Sequence, residues 1–129
     1  AHGLHPNYAH KHDSNHAPKL NGGFVIKHNP NIRYATNAPT ATLFRLLGER
    51  AGCSVQEFAV RSDSGCGSTI GPILSTLCGI RTVDVGTAQW SMHSIREMMG
   101  AQDAESGYVH LKSVLKHFAE VDATLHVDG

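Results

Sequence analysis

The chain has 129 residues, 40% of them hydrophobic and 17% charged, which is one domain's worth of length and enough apolar content for a packed core. Eleven Lys and Arg balance eleven Asp and Glu, so the formal net charge is zero with His neutral, and composition gives no ground for nucleic acid or an anionic membrane as a partner. No apolar run approaches the ~20 residues of a transmembrane helix, and Ala1-His2-Gly3-Leu4-His5 carries neither the basic patch nor the apolar run of a signal peptide. The three cysteines, Cys53, Cys66 and Cys78, form no CxxC pair, which argues against a disulfide framework and for a reducing, cytosolic setting.

Residues 1–22 contain Pro6, Asn7, Asp13, Ser14, Asn15, Pro18, Asn21 and Gly22 and read as a long loop with no helical or strand period. Five of the ten histidines fall inside it: His2, His5, His10, His12 and His16. Such density points to metal or proton chemistry, or to a polar surface loop. Gly23 to Lys27 reads as a short strand ended by Asn29-Pro30. Residues 39–51 read as a helix with Pro39 in its first turn, an apolar face of Leu43, Phe44, Leu46 and Leu47, and Gly52 as its stop. Val55 to Arg61 is expected to be a second strand, followed by the turn Asp63-Ser64-Gly65-Cys66-Gly67 and a helix over roughly 68–78 stopped by Gly79. Arg81 to Val85 is expected to be a third strand. Ser91 to Met99 is read as a short helix with Ser94 and Glu97 in capping-box spacing. The last helix, roughly 104–121, is expected to bury Tyr108, Leu111, Val114, Leu115, Phe118 and Val121.

Alternating strands and helices imply an α/β layer fold, in which ligands gather at the C-terminal ends of the strands. Lys27, the 63–67 turn and the segment Gly86 to His93 all fall at such ends. The Gly65-Cys66-Gly67 turn opens a helix and has the form of an anion cradle or a tight structural turn. It lacks the Gly-Lys-Ser/Thr of a P-loop and the spacing of a dinucleotide fingerprint. His93, at a loop-to-helix junction between Ser91 and Ser94, is by itself as suited to a surface or capping role as to a ligand.

Several segments resemble one family. His2-Gly3-Leu4-His5-Pro6-Asn7-Tyr8, then Lys11-His12 and Asn15-His16-Ala17-Pro18, resemble the HxxHPNY…KH…NHxP loop of aspartyl aminopeptidases. Val25-Ile26-Lys27, Arg33-Tyr34-Ala35-Thr36-Asn37, Val60-Arg61-Ser62-Asp63, Cys66-Gly67-Ser68-Thr69-Ile70-Gly71-Pro72-Ile73 and Met92-His93-Ser94-Ile95-Arg96-Glu97-Met98 continue the likeness in order over essentially the whole chain. The resemblance implies a three-layer α/β zinc-peptidase catalytic domain, here a partial sheet with helices on its faces, with residues 1–129 as its C-terminal portion. It implies release of N-terminal Asp or Glu from peptides in the cytoplasm, two divalent ions (zinc, with Mn or Co as substitutes) and a homo-oligomer, commonly a dodecamer.

Residue by residue, the resemblance makes His93 a metal ligand, Lys27 the contact for the acidic side chain of the substrate, and His5 an active-site group touching substrate or tetrahedral intermediate. Backbone N–H groups of the 63–71 turn are a further candidate for the oxyanion. The family's remaining ligands, its general base and its inserted oligomerisation domain are expected upstream of Ala1, one ligand Asp only two residues before it. On that basis the chain needs the missing N-terminal part of the same protein and is inactive alone, as befits an excised piece. Two other readings are a non-catalytic module holding metal in its His-rich loop, and a scaffold or inhibitor descended from a peptidase.

Overall fold

Both faces of one short strand are buried, and the rest of the chain is arranged to cover them. In a computed structural model that describes residues 1–13, 15–29, 34–60 and 67–125, strand β1 (Phe24–His28) lies at the centre of a three-stranded sheet. It pairs in parallel with β2 (Val55–Ala59), Phe24 opposite Val55 and Lys27 opposite Phe58, and antiparallel with β3 (Val85–Gly86), Ile26 opposite Val85. Successive strand residues point to opposite faces. Ile26 packs on one side with Ala41, Phe44 and Val114, and Val25 on the other with Ala1, Ala88, Leu20 and Phe58.

Helix α1 (Ala38–Arg50) begins as its sequence demands. The Asn37 side chain accepts from Thr40 N–H at 3.0 Å, and Thr40 Oγ1 accepts from Asn37 N–H at 3.1 Å, a reciprocal cap over two otherwise unpaired donors. Gly52 then stops it with φ of 71°, a left-handed conformation that favours glycine. Leu43, Phe44 and Leu47 are buried, so the apolar face read from the sequence is the one that packs.

Three expectations are corrected. The third strand is two residues, Val85–Gly86, not Arg81 to Val85. The stretch before it is held by side chains: the Arg81 guanidinium is bidentate on Asp122 at 2.7 and 2.8 Å, and Asp84 N–H donates to Thr36 Oγ1. Residues 91–99 form no helix. They make a two-stranded ribbon, β4 (Gln89–Trp90) against β5 (Met98–Met99), joined by a turn. Ser91 and His93 take φ of 55° and 71°, which a helix start cannot accommodate, and Glu97 accepts from His93 N–H instead of capping Ser94.

The third correction is the rotation of the last helix, α3 (Ala101–Asp122). Tyr108, Leu111, Leu115 and Phe118 are exposed, while Asp103, Gly107, His110 and Ser113 are buried beside half-buried Val114 and buried Val121. Polar groups win this face because α1 offers them carbonyls. Ser113 Oγ donates to Leu47 O and His110 Nε2–H to Phe44 O, each at 2.8 Å. The His110 ring stacks on Phe44 at 4.0 Å between centroids, and fits only because residue 48 is glycine: a Cβ there would sit 2.6 Å from the imidazole.

Helix α2 (Ile70–Cys78) buries only Gly71 and exposes Ile73, Leu74 and Leu77. The residues 61–66 of the Gly-rich turn lie outside the described residues, so the reading of that turn has no structural counterpart. Among the described residues no helix is long and apolar enough to cross a membrane.

Burial lowers the basicity of His110 below its ordinary value, opposed by the hydrogen bond to Phe44. The unfolded chain therefore takes up the proton first, and stability is full above the ordinary histidine pKa of about 6.5 and falls as pH drops through the lower, folded value. Urea midpoints at pH 7.5 and 5.5 should show this loss. His110→Gln, which keeps a donor for Phe44 O and does not titrate, should flatten it; an equal slope in both proteins would reassign the effect to other groups such as His28.

Candidate active-site recess

The first three residues run beside β4: Gly3 N–H donates to Gln89 O at 2.7 Å and Gln89 N–H to Ala1 O at 2.8 Å. This brings the His-rich segment against the residues following the third strand, as the topology of an α/β sheet leads one to expect. Between them is an open recess of about 330 Å³ lined by His2, Gly3, His5, Tyr8, His12, Phe58, Gln89, Trp90 and Ser91.

His5 is the best-defined polar group in it. It caps a 3₁₀ helix (Pro6–Lys11), and its Nδ1 accepts from Asn7 N–H at 3.2 Å. Its ring meets those of Tyr8, 5.4 Å away, and Trp90, 5.0 Å away and edge-on at 67°. Trp90 is fixed in turn, since its indole Nε1–H donates to Leu4 O at 3.0 Å. His12 packs edge-on to Phe58 at 6.0 Å, with a buried Nδ1 that has no hydrogen-bond partner among the described residues.

Lys27 lies outside the lining of that recess but on the same side of the sheet as the chain start. The position a Cβ of Gly86 would take lies 3.5 Å from both Ala1 N and Lys27 Cε, which sets the two side by side. Lys27 N–H donates to Asp84 O at 2.9 Å, and Asp84 Oδ2 accepts from Ala35 N–H at 2.6 Å. Asp84 thus carries the 34–36 segment, and with it the Tyr34 ring, whose centroid lies 5.7 Å from the ammonium.

His93 is exposed on the β4–β5 turn, two residues beyond Ser91 at the recess and not itself part of the lining. Among the described residues no three of His, Cys, Asp or Glu converge as a metal site would require, and the five histidines of the opening loop supply none. The described residues therefore do not fit a metal by themselves. The recess residues Tyr8, His12, Phe58, Gln89 and Trp90 were not identified from the sequence as site residues. Tyr8 stands in the HPNY motif and Gln89-Trp90 in the segment placed at a strand end, which were the available signals.

Residues 1–115 match the family model described as aminopeptidase I zinc metalloprotease (M18). The chain belongs to the M18 family. It is 54% identical over 128 residues to the "Probable aspartyl aminopeptidase" of Ricinus communis, a match covering 99% of this chain and 26% of that protein. Among solved M18 structures, the cryo-EM structure of the Ape4 and Nbr1 complex superposes with a TM-score of 0.95 at 43% identity, over 100% of this chain and 25% of the other. The S. cerevisiae mApe1 dodecamer gives 0.87 at 34% identity, over 98% of this chain and 27% of the other. The α/β layer fold expected from the sequence is thus that of M18 catalytic domains. The chain spans about a quarter of the length of the M18 proteins it matches.

Proposed function

We propose that this chain is part of a zinc-dependent aminopeptidase that releases N-terminal Asp or Glu from peptides. The observation that carries the proposal is identity at 54% of positions, along nearly the whole chain, with a protein named as a probable aspartyl aminopeptidase. Lys27 is assigned to the acidic side chain of the substrate, His5 to the substrate or its tetrahedral intermediate, and His93 to one of two divalent ions, for which Mn or Co can substitute. The other ligands come from the rest of the same polypeptide, and copies assemble as a homo-oligomer, a dodecamer by analogy with mApe1. The setting is the cytoplasm.

Two features support Lys27 in that role. It is the penultimate residue of β1, directly after the fully buried Val25 and Ile26, so its ammonium rises beside an apolar base, and its backbone is held by Asp84. An ammonium is a compact point charge that accepts Asp and Glu carboxylates without demanding one geometry. A charge-assisted hydrogen bond of this kind contributes about 1.5–3 kcal/mol, or roughly ten- to a hundred-fold in rate. In the full-length protein, Lys27→Met should lower kcat/KM for Asp and Glu substrates by about that factor and leave Leu substrates unchanged or improved. A uniform loss across acidic and neutral substrates would withdraw the assignment.

The ligand assignment of His93 is tested by metal content. Because its φ is 71°, Asn is the replacement that tolerates the backbone, and Ala would add strain of its own. His93→Asn in the full-length protein should lower zinc occupancy and nearly abolish turnover with the circular dichroism unchanged. Full zinc content in that variant would refute it.

With a single assigned ligand and no converging donor set among its described residues, the 129-residue chain cannot organise two ions. It should not hydrolyse an Asp-linked chromogenic substrate in added Zn²⁺, Mn²⁺ or Co²⁺. Multiple turnovers that persist through repurification would show the proposal of an incomplete site to be wrong.

A further inference from the structure

We infer that Trp90 is a positioning residue for His5, holding its imidazole as the Nε2–H tautomer so that it meets a substrate oxygen as a hydrogen-bond donor and not as a base. The inference rests on the assignment of His5 to the reacting substrate made above, and deepens it.

The chemistry starts at the cap of the 3₁₀ helix. Pro6 has no N–H, so Asn7 supplies the first backbone donor of that turn, and His5 Nδ1 accepts it at 3.2 Å. A neutral imidazole carries one proton. With the lone pair of Nδ1 turned to Asn7, that proton resides on Nε2, which has no hydrogen-bond partner among the described residues in a ring that lines the recess. Rotating the ring by half a turn would exchange Nδ1 for a carbon and leave the Asn7 donor unsatisfied.

Trp90 opposes that rotation through two contacts on one short piece of chain. Its ring meets the His5 ring edge-on at 5.0 Å, the arrangement in which the positive edge of one aromatic faces the negative face of another. Its Nε1–H is bonded to Leu4 O, the carbonyl immediately before His5, so the indole holds both the backbone leading into the residue and the side chain leaving it. Tyr8 also meets the His5 ring, tilted at 5.4 Å between centroids. Trp90 is anchored by the β4–β5 pairing, Trp90 opposite Met98, and is therefore part of a different segment from the one it restrains. A donor fixed before substrate arrives needs no reorganisation when negative charge develops on a carbonyl oxygen, which is where such a donor acts most strongly.

The test is the tautomer itself, read by long-range ¹H–¹⁵N correlation of the full-length protein carrying ¹⁵N-labelled histidine at pH 8. His5 Nδ1 should resonate as the unprotonated nitrogen and Nε2 as the protonated one. Trp90→Leu should move both resonances towards the averaged position of a ring that exchanges tautomers, and Trp90→Phe, which keeps an aromatic edge, should preserve the wild-type pattern. The reverse tautomer or an averaged pair in the wild type overturns the inference. So does an unchanged pattern in Trp90→Leu, or, should that variant fail to fold, an averaged pattern in Trp90→Phe. In the full-length protein Trp90→Leu should lower kcat by about ten- to a hundred-fold with KM little changed; a rise in KM alone overturns the positioning role. His5→Gln retaining full activity would remove His5 from the reaction while leaving the tautomer result intact, so the two failures are distinct.

Discussion

A single buried carboxylate joins the two halves of this fold. Asp103, in the first turn of α3, accepts from Asn21 N–H at 2.8 Å and Gly23 N–H at 2.9 Å, 80 and more residues away in sequence. Asn21 answers by accepting Gln102 N–H at 3.1 Å on its own side chain. The exchange satisfies the free donors of a helix start and of a tight turn at once, and it places negative charge where the helix dipole favours it. It also sets where β1 begins. Gly23, with φ of 85° and Ser54 O 1.9 Å from the position a Cβ would take, allows the chain to enter the strand against β2. Since Asp103 fixes one point on the circumference of α3, the residues one and two turns further on, Gly107 and His110, must face β1 and α1. The rotation of the helix is decided at its first turn, not by its most apolar stripe.

That displacement of the apolar stripe has a consequence for the surface. Leu115 is 87% exposed, Leu77 79% and Ile70 71%, and together with Ile73 and Leu111 they leave two helices with apolar outer faces. Apolar surface on this scale is uncommon on a free monomer. It accords with a chain that spans about a quarter of the length of its M18 relatives, one of which was solved as a dodecamer. Sequence pattern alone does not say which stripe of a helix packs, and the predicted face of α3 was wrong because Asp103, His110 and Ser113 are bonded on another one.

Local chemistry was the legible part. Pro39 in the first turn, Gly52 and Gly79 as stops, and the apolar Val25-Ile26 pair each placed an element correctly, because each acts through atoms only a few residues apart. What escaped was anything settled over a long sequence separation. The antiparallel β3 is two residues long, and before it Arg81 and Asp84 find side-chain partners in Asp122 and Thr36. The 91–99 segment gives up its helical signal because it must pair as a ribbon beside the first residues of the chain. A capping-box spacing is compatible with both outcomes, and only the positive φ values of Ser91 and His93 tell them apart.

The same division separates the residues of the site. A metal centre needs four or more donors brought from distant segments to one point, and nothing within a single motif specifies that convergence. The state of His5 is different, because the groups that determine it are its own neighbours: a proline without an N–H at position 6, a donor at Asn7, a carbonyl at Leu4. One long-range contact, from Trp90, then suffices to hold what the local sequence has already arranged. A short loop can thus carry the tautomer of a reacting imidazole while depending on the rest of the fold for its place, and the proline in the middle of His-Pro-Asn has a chemical reason to be there beyond turning the chain.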